Sequence, residues 1–499
     1  MTAPGSIVLV TVDCLRADHT GFMGYDRPTT PFLDSLAAES FVFPAAIVAG
    51  APTYYSFPAI LGGRAPLALG RDVLGVAPSE PTLASVVKKA GYATAAFSAA
   101  NPYISARFGY DQGFDTFRDH LDALTPPACA ASAAASNRWF TRLNRALFKA
   151  SRRSEPAARW YDDLYFEYCQ RWAAPPATSL DSLRCYPAAD TMVDEARSWL
   201  SSLGSTPFFL WLHLMDPHAP YYPPEKALHL MGQRNVSASH ARYVNAYYLR
   251  NDARLPGLAR HRDAAVALYD AGIRWVDEQV ARLVDALRRF HLWDCCVLCL
   301  TADHGEEFLE HGGRHHPPSR LFEELIRVPM LLRVPDSAKK ELSPSPFSLV
   351  DLSPTLMDAA QVPESANCSG RSRWQQILHG ESWNEPAVVE CVAECTNPFH
   401  RENRFGPRLL AVRERRYKLI LASEPPGDQL FDLEADPAER SPLPPHAAKP
   451  VRRRLLEFAR THVSNSVQCR DSALLLKARL RDLRLEWAQP MQPSQTAGF

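Results

Sequence analysis

Three stretches of this chain are apolar almost from end to end and stop on an acid: "SIVLVTVD" (6–13), "FFLWLHLMD" (208–216) and "CCVLCLTAD" (295–303). A strand buried on both faces has no reason to alternate polar with apolar, so such runs mark the interior of a parallel sheet. Between them lie segments with apolar residues at helical spacing, such as "TMVDEARSWLSSLG" and "LYDAGIRWVDEQVARLVDALRRF". Strands alternating with helices predict an α/β protein with a large, mainly parallel sheet sandwiched by helices. Ligands in such folds collect beyond the C-terminal strand ends. Asp13, the segment from His213 to His218, and Asp303-His304 all fall at those ends, where a shared site is expected.

The rhythm runs through "DLSPTLMDAA" (351–360), which gives a catalytic domain over residues 1–365. It is broken once, at about 120–190, by an insertion that opens with the loop-like "TPPACAASAAAS". The insertion continues as the helical, aromatic stretch "NRWFTRLNRALFKASRRSEPAARWYDDLYFEYCQRW", basic in its first half. Beyond it, "AVVECVAE", "RLLAVRERRYKLILAS" and "DQLFDLEADPAE" read as short strands, followed by a helix at "VRRRLLEFARTHV". They predict a smaller antiparallel α+β subdomain over 366–465. The tail, 466–499, carries a helical stripe at Leu476, Leu480, Leu483 and Trp487 and is expected to dock on its own domain.

A chain of 499 residues suits one large domain plus a smaller one. Lys+Arg and Asp+Glu are 55 each, so the basic excess of a nucleic-acid binder is missing. No apolar run approaches the roughly 18 residues of a membrane span, so no transmembrane segment is expected. The N-terminus enters the first strand without a signal-peptide pattern, and the 11 cysteines are scattered. A cytoplasmic protein with reduced thiols is the expectation. "CCVLC" reads as buried strand thiols rather than a metal cluster.

Asp13, Asp303 and His304 make an oxygen-rich set with one nitrogen, suited to a divalent cation: Mg, Mn, Ca or Zn. Thr53, in "GAPTYYSFPAILGGR" (50–64), follows Pro52 and opens an apolar helix. An alcohol is a weak nucleophile until something lowers its pKa, and metal coordination does so. The plainer reading of Thr53 is a helix N-cap. "HLMDPHAPYYPP" supplies His213, Asp216 and His218, and "EHGGRHHPP" supplies His311, His315 and His316. Histidines beside carboxylates can protonate a leaving group, bind ester oxygens or hold a second metal.

Together these residues resemble the sulfatase family, within the alkaline phosphatase superfamily. The resemblance runs nearly end to end, through "VDCLRADHTGFMGYDRPTTPFLDSLAAES", "TYYSFPAILGGRAP", "GYDQGFDTF", "HLMDPHAPYYPP", "TADHGEEFLEHG", "LFEELIRVPMLL" and "RYKLI…DQLFDLEADPAE". It implies one divalent cation held by Asp13, Thr53, Asp303 and His304. The family's C/S-x-P-x-R motif, whose first residue is oxidised to formylglycine, is altered here: Thr53 stands at the nucleophile, Tyr55 at the proline and Phe57 at the arginine. Threonine cannot become that aldehyde, because its β-carbon bears a methyl. Cys14 replaces the second acid of the usual pair, Asn101 lies where Lys-x-His is expected, and the lysine before "LFEE" is absent, with His315 and His316 nearby.

Threonine nucleophiles elsewhere in the superfamily act on phosphorus. The resemblance therefore implies a hydrolase of phosphate or phosphonate esters with Thr53 as the metal-activated nucleophile. The ester would be a small molecule or one linked to a glycan or lipid. Asn101, His218, His311 and His315 would bind substrate, with His218 or His316 as proton donor. A sulfuric ester hydrolase without formylglycine, a phosphoethanolamine-type transferase and an inactive ester-binding relative are the alternatives.

Overall fold

The computed structural model describes residues 5–71, 73–123, 138–174, 177–337, 342–362, 370–422 and 427–468. The acid-ended runs form the middle of a seven-stranded sheet. In chain order the strands are β1 (Ser6–Val12), β2 (Phe41–Val42), β3 (Ala46–Ile47), β4 (Ala93–Ser98), β5 (Thr116–Arg118), β6 (Phe208–Leu214), β7 (Cys296–Ala302), β8 (Glu307–Phe308), β9 (Arg314–His315), β10 (Arg327–Val328), β11 (Met330–Arg333), β12 (Phe347–Ser348), β13 (Ala387–Val392), β14 (Arg408–Arg413), β15 (Tyr417–Leu421) and β16 (Gln429–Asp432). The main sheet has the order β2-β11-β7-β1-β6-β4-β5. Its five strands from β7 to β5 are parallel, and β11 joins β7 antiparallel. Every residue of β1, β6 and β7 is buried, which is what their unbroken apolar pattern requires. Cys296 and Cys299 are buried within β7.

Register decides where the acids emerge. Val12 lies opposite Leu214 on one side and Ala302 on the other. Asp13 and Asp303 therefore leave the sheet side by side, one residue past those partners.

Helices Pro31–Ala37, Ala189–Ser202, Glu225–Leu230, Ala238–Leu249 and Leu255–Arg289 pack together, and Thr53–Gly62, Leu83–Lys89 and Leu352–Ala359 form a second group. The Pro31–Ala37 helix starts at a proline, whose missing N–H costs nothing there. Thr30 does not cap it: its hydroxyl donates to Asp34 and accepts from Gly21 N–H. Asp277, from the long helix, accepts the free N–H groups of Phe32 (3.0 Å) and Leu33 (2.8 Å) instead.

The C-terminal strands β13 to β16 form an antiparallel sheet in chain order, and the helix Lys449–Gln468 packs on β14 and β15. Within the insertion, Arg138–Ser151 and Glu155–Tyr168 are helices that pack on each other. The loop-like stretch before them and the stripe from Leu476 to Trp487 lie outside the described residues. Among the described residues, no helix is long and apolar enough to cross a membrane.

A buried charge cluster ties the C-terminal sheet to the short helix Glu323–Ile326. Lys418 of β15 is fully buried between Glu323 (3.3 Å) and Glu439 (2.8 Å). Burial pushes Glu439 up to about 7, against the pull of Lys418. Ionising it in the folded state therefore opposes stability as pH rises from the ordinary carboxylate range toward neutrality. Replacing Lys418 by Met strips the cation from two facing acids and is expected to cost about 3–5 kcal/mol. Urea unfolding at about pH 5 and about pH 8 tests this, with the larger deficit at the higher pH.

Candidate active site

Asp13 is fully buried at the end of β1. Its Oδ2 accepts from Asn101 Nδ2 (2.8 Å) and lies 3.3 Å from His213 Nε2, and its Oδ1 accepts from the Cys14 thiol (3.2 Å). Asp303, at the end of β7, accepts at Oδ1 from the backbone N–H groups of His304 (3.0 Å) and Cys14 (3.4 Å). Its Oδ2 is buried with no hydrogen-bond partner. His304 Nδ1 meets the Gly305 carbonyl at 2.8 Å, so in the neutral ring that nitrogen carries the proton and Nε2 is bare. Nε2 lies 3.6 Å from Asp13 Oδ1 and 3.5 Å from Asp303 Oδ2. Gly305 is required there, since a Cβ would come within 1.9 Å of the Glu324 carbonyl oxygen.

Ligand atoms of Asp13, Asp303 and His304 all lie within 4.8 Å of one another. An orphaned carboxylate oxygen and a bare imidazole nitrogen in one dry pocket fit a divalent cation.

The electrostatics fit as well. Burial alone would raise Asp13, but His218, a hydrogen bond from His213, and His304 hold it far below the usual carboxylate range. Burial and the Asp13 charge push Asp303 up. Burial works against charged His304, yet Asp303 and Asp13 outweigh it and raise its affinity for a proton. A bound cation would compete for the same negative field.

Thr53 is the first residue of its helix, and Pro52, not Thr53, stands at the N-cap. Its Oγ1 lies 3.1 Å from His304 Nε2. Tyr55 and Phe57 are buried, and Phe57 packs edge-on against the His213 ring (5.1 Å). The position where the resemblance expects an arginine is therefore apolar and closed. Cys14 sits at φ 60°, a left-handed turn that redirects the chain right after Asp13. Burial, then Glu306 and Asp13, push its thiol up, so it stays protonated.

The histidines separate into two sets. His218 and His316 face the acids: their rings are 5.1 Å apart, and His316 is 4.5 Å from His304. His316 Nδ1 is 2.8 Å from Glu306 Oε2, and burial pushes this histidine down to about 4, so it is neutral near pH 7. His311 and His315 are held by other partners. His311 is engaged by Glu324 (2.6 Å) and the Glu439 carbonyl (3.2 Å) and stacks on Phe322. His315 is engaged by Glu306 (3.0 Å) and the Tyr248 carbonyl (3.3 Å). Both rings have no nitrogen to spare.

Asn101 also differs from expectation. Its amide donates to Asp13 and its carbonyl accepts from Tyr103 N–H (3.0 Å), so it orients the acid. Asp216, expected near a second metal, is paired with Arg184 (3.1 Å) and Ala189 N–H (3.0 Å). Glu306 had no assigned role in the sequence reading, yet this fully buried acid accepts from Tyr221 (2.6 Å) and positions His315 and His316. The pair of acids after "DHG" was the available signal.

The comparisons with known proteins agree with this architecture. The family model described as Sulfatase matches residues 6–362, and the one described as N-sulphoglucosamine sulphohydrolase, C-terminal, matches 314–457. A choline-sulfatase of Rhizobium meliloti (strain 1021) is 32% identical over 185 residues, which is 37% of this chain and only 34% of that protein. An arylsulfatase of Clostridium perfringens (strain 13 / Type A) is 25% identical over 481 residues, covering 88% of this chain and 90% of that one. A protein solved with its substrate D-glucosamine-2-N,6-O-disulfate superposes with TM-score 0.66 at 17% identity, covering 93% of this chain and 98% of its own. The phosphonate monoester hydrolase of Agrobacterium radiobacter does so with TM-score 0.63 at 19% identity, covering 93% and 96%.

Because Asn101 holds Asp13 rather than a ligand, Asn101→Leu should weaken divalent-cation binding by about ten- to a hundredfold. Calorimetric titration of the cation checks this. Unchanged affinity would remove Asn101 from the orientation of Asp13.

Proposed function

The chain belongs to the sulfatase family, and we propose that it is a metal-dependent hydrolase of phosphate or phosphonate esters with Thr53 as its nucleophile. The observation that carries this reading is the Thr53 hydroxyl: it stands one residue past the N-cap of its helix and lies 3.1 Å from His304 Nε2, beside two buried acids.

Asp13, Asp303 and His304 would hold the cation, which when bound supplies positive charge that makes the Thr53 hydroxyl more acidic. Thr53 Oγ1, having lost its proton to water, bonds to phosphorus in line with the leaving oxygen as the bond to that oxygen breaks. The helix behind Thr53 directs its first N–H groups toward the negative charge of the ester. His218, half-buried at the edge of the cluster with Nδ1 on the Ala219 carbonyl, gives a proton from Nε2 to the departing oxygen. Water then attacks phosphorus as His218 Nε2 takes its proton back from that water, the Oγ1–phosphorus bond breaks, and Oγ1 regains a proton from solvent.

The methyl on the Thr53 β-carbon supports phosphorus over sulfur. A hydrated aldehyde can expel sulfate by elimination, whereas a threonine ester must be cut by an outside nucleophile. Phe57 in place of a cation lessens the positive lining a sulfate would meet. A second reading, sulfate ester hydrolysis without formylglycine, is favoured by the printed activity of the relatives, choline-sulfatase and arylsulfatase. The described cysteines are all free thiols, which supports a reducing, cytoplasmic setting.

The test is a rate panel on aryl phosphate monoester, phosphodiester, phosphonate and sulfate substrates, after metal removal and add-back. Thr53→Ala is expected to lower kcat on the phosphorus ester by roughly a thousandfold, about 4 kcal/mol of barrier. Thr53→Ser should keep most of the rate. Turnover of the sulfate ester alone, indifferent to Thr53→Ala, would replace Thr53 by a water nucleophile.

A further inference from the structure

Twelve large apolar side chains are exposed among the described residues, and eight of them lie between 143 and 172: Leu143, Leu147, Phe148, Trp160, Leu164, Tyr165, Tyr168 and Trp172. This clustering is far from the scattered single exposures of an ordinary surface. Leu147, Trp160 and Trp172 are 51%, 68% and 81% exposed. Between helices Arg138–Ser151 and Glu155–Tyr168 runs an apolar groove of about 540 Å³, lined by Leu143, Leu147, Trp160, Leu164, Tyr165 and Tyr168.

Charge identifies the occupant. Residues 138–153 hold six Lys or Arg and no acid, in a chain whose net charge is zero. Helical spacing puts Arg142, Arg145 and Lys149 on one side of the first helix and Leu143, Leu147 and Ala150 on the other. Arg152 is paired with Asp162, within the hairpin. A basic side on the first helix, opposite leucines that share an apolar groove with Trp160 of the second helix, is the composition of an element that lies in a bilayer interface. Exposed Trp and Tyr suit the headgroup level.

We propose that this hairpin is a docking surface for an anionic membrane. It lies in the interface with its groove toward the acyl chains and its basic side among the headgroups.

The hairpin leans on the helix Ala238–Leu249 through residues on its far side. Phe166 packs on Tyr243 and Tyr247, and Tyr243 donates to Glu167 (2.5 Å). The same helix reaches the candidate active site: Asn245 brackets the backbone of Tyr221, whose hydroxyl donates to Glu306. A membrane bound by the hairpin is thus linked to His316 through this helix, Tyr221 and Glu306.

The experiment is sedimentation of the full chain with vesicles of phosphatidylcholine, pure or with about 30% phosphatidylglycerol, at low and high salt. The chain is expected to sediment with the anionic vesicles only, and less so at high salt. Trp160→Ser with Trp172→Ser, and Arg142→Glu with Lys149→Glu, should each weaken binding at least tenfold with thermal unfolding unchanged. Thr53→Ala should bind like the unaltered chain, so that docking and catalysis can fail separately. No retention, equal retention on neutral vesicles, or retention indifferent to both double substitutions overturns the proposal. A concentration-dependent dimer abolished by the tryptophan substitutions also overturns it and assigns the face to a second copy.

Discussion

Two buried carboxylates a few ångströms apart are the constraint around which the molecule is arranged. Asp13 and Asp303 are both fully buried, and bringing even one ionised carboxylate out of water costs several kcal/mol unless something compensates. The compensation is built from backbone N–H groups, the Asn101 amide and a ring of imidazoles. Each donor comes from a different segment, so the sheet, the loop after β4 and the loop after β7 must all be in place before the pair is tolerable. One carboxylate oxygen is left over.

The fold was legible in the sequence for a plain physical reason. Strands buried on both faces cannot hide their composition, and β1, β6 and β7 were marked by it. The acids at their ends were legible too, because strand ends in a parallel sheet converge. The histidines were not. "EHGGRHHPP" offers three equivalent rings, and nothing local says that His315 turns toward Glu306 and the Tyr248 carbonyl while His311 stacks on Phe322. Those partners come from segments that only tertiary packing brings near. The pairing of Asn101 was hidden for the same reason: its partner, Asp13, is 88 positions away. The first turn of the Pro31–Ala37 helix is another case, since its free N–H groups are met by Asp277, 244 positions beyond Leu33.

Glu306 shows how a residue without obvious chemistry can organise a site. It gathers a tyrosine and two histidines on one carboxylate, and burial would make that acid costly if any of them were missing. Its position fixes which ring is turned toward His304 and which is turned away. The separation of His316 from His315 thus follows from one acid's need for donors. The site's selectivity among six histidines is a consequence of hydrogen-bond satisfaction.

The seam between the two sheets has a bearing on when the site comes into being. The loop that carries Thr53 is held by the last sheet: Glu390 N–H donates to the Ala49 carbonyl (2.8 Å), and the Glu390 carboxylate accepts from Leu67 N–H (3.0 Å). Gly50 passes so close that a Cβ would fall 2.6 Å from the Glu390 carbonyl oxygen. On the ribosome, residues 13, 53 and 303 emerge well before residue 390. A nascent chain can carry all of these residues and still lack the brace, so the loop around Thr53 gains these contacts only once β13 has emerged.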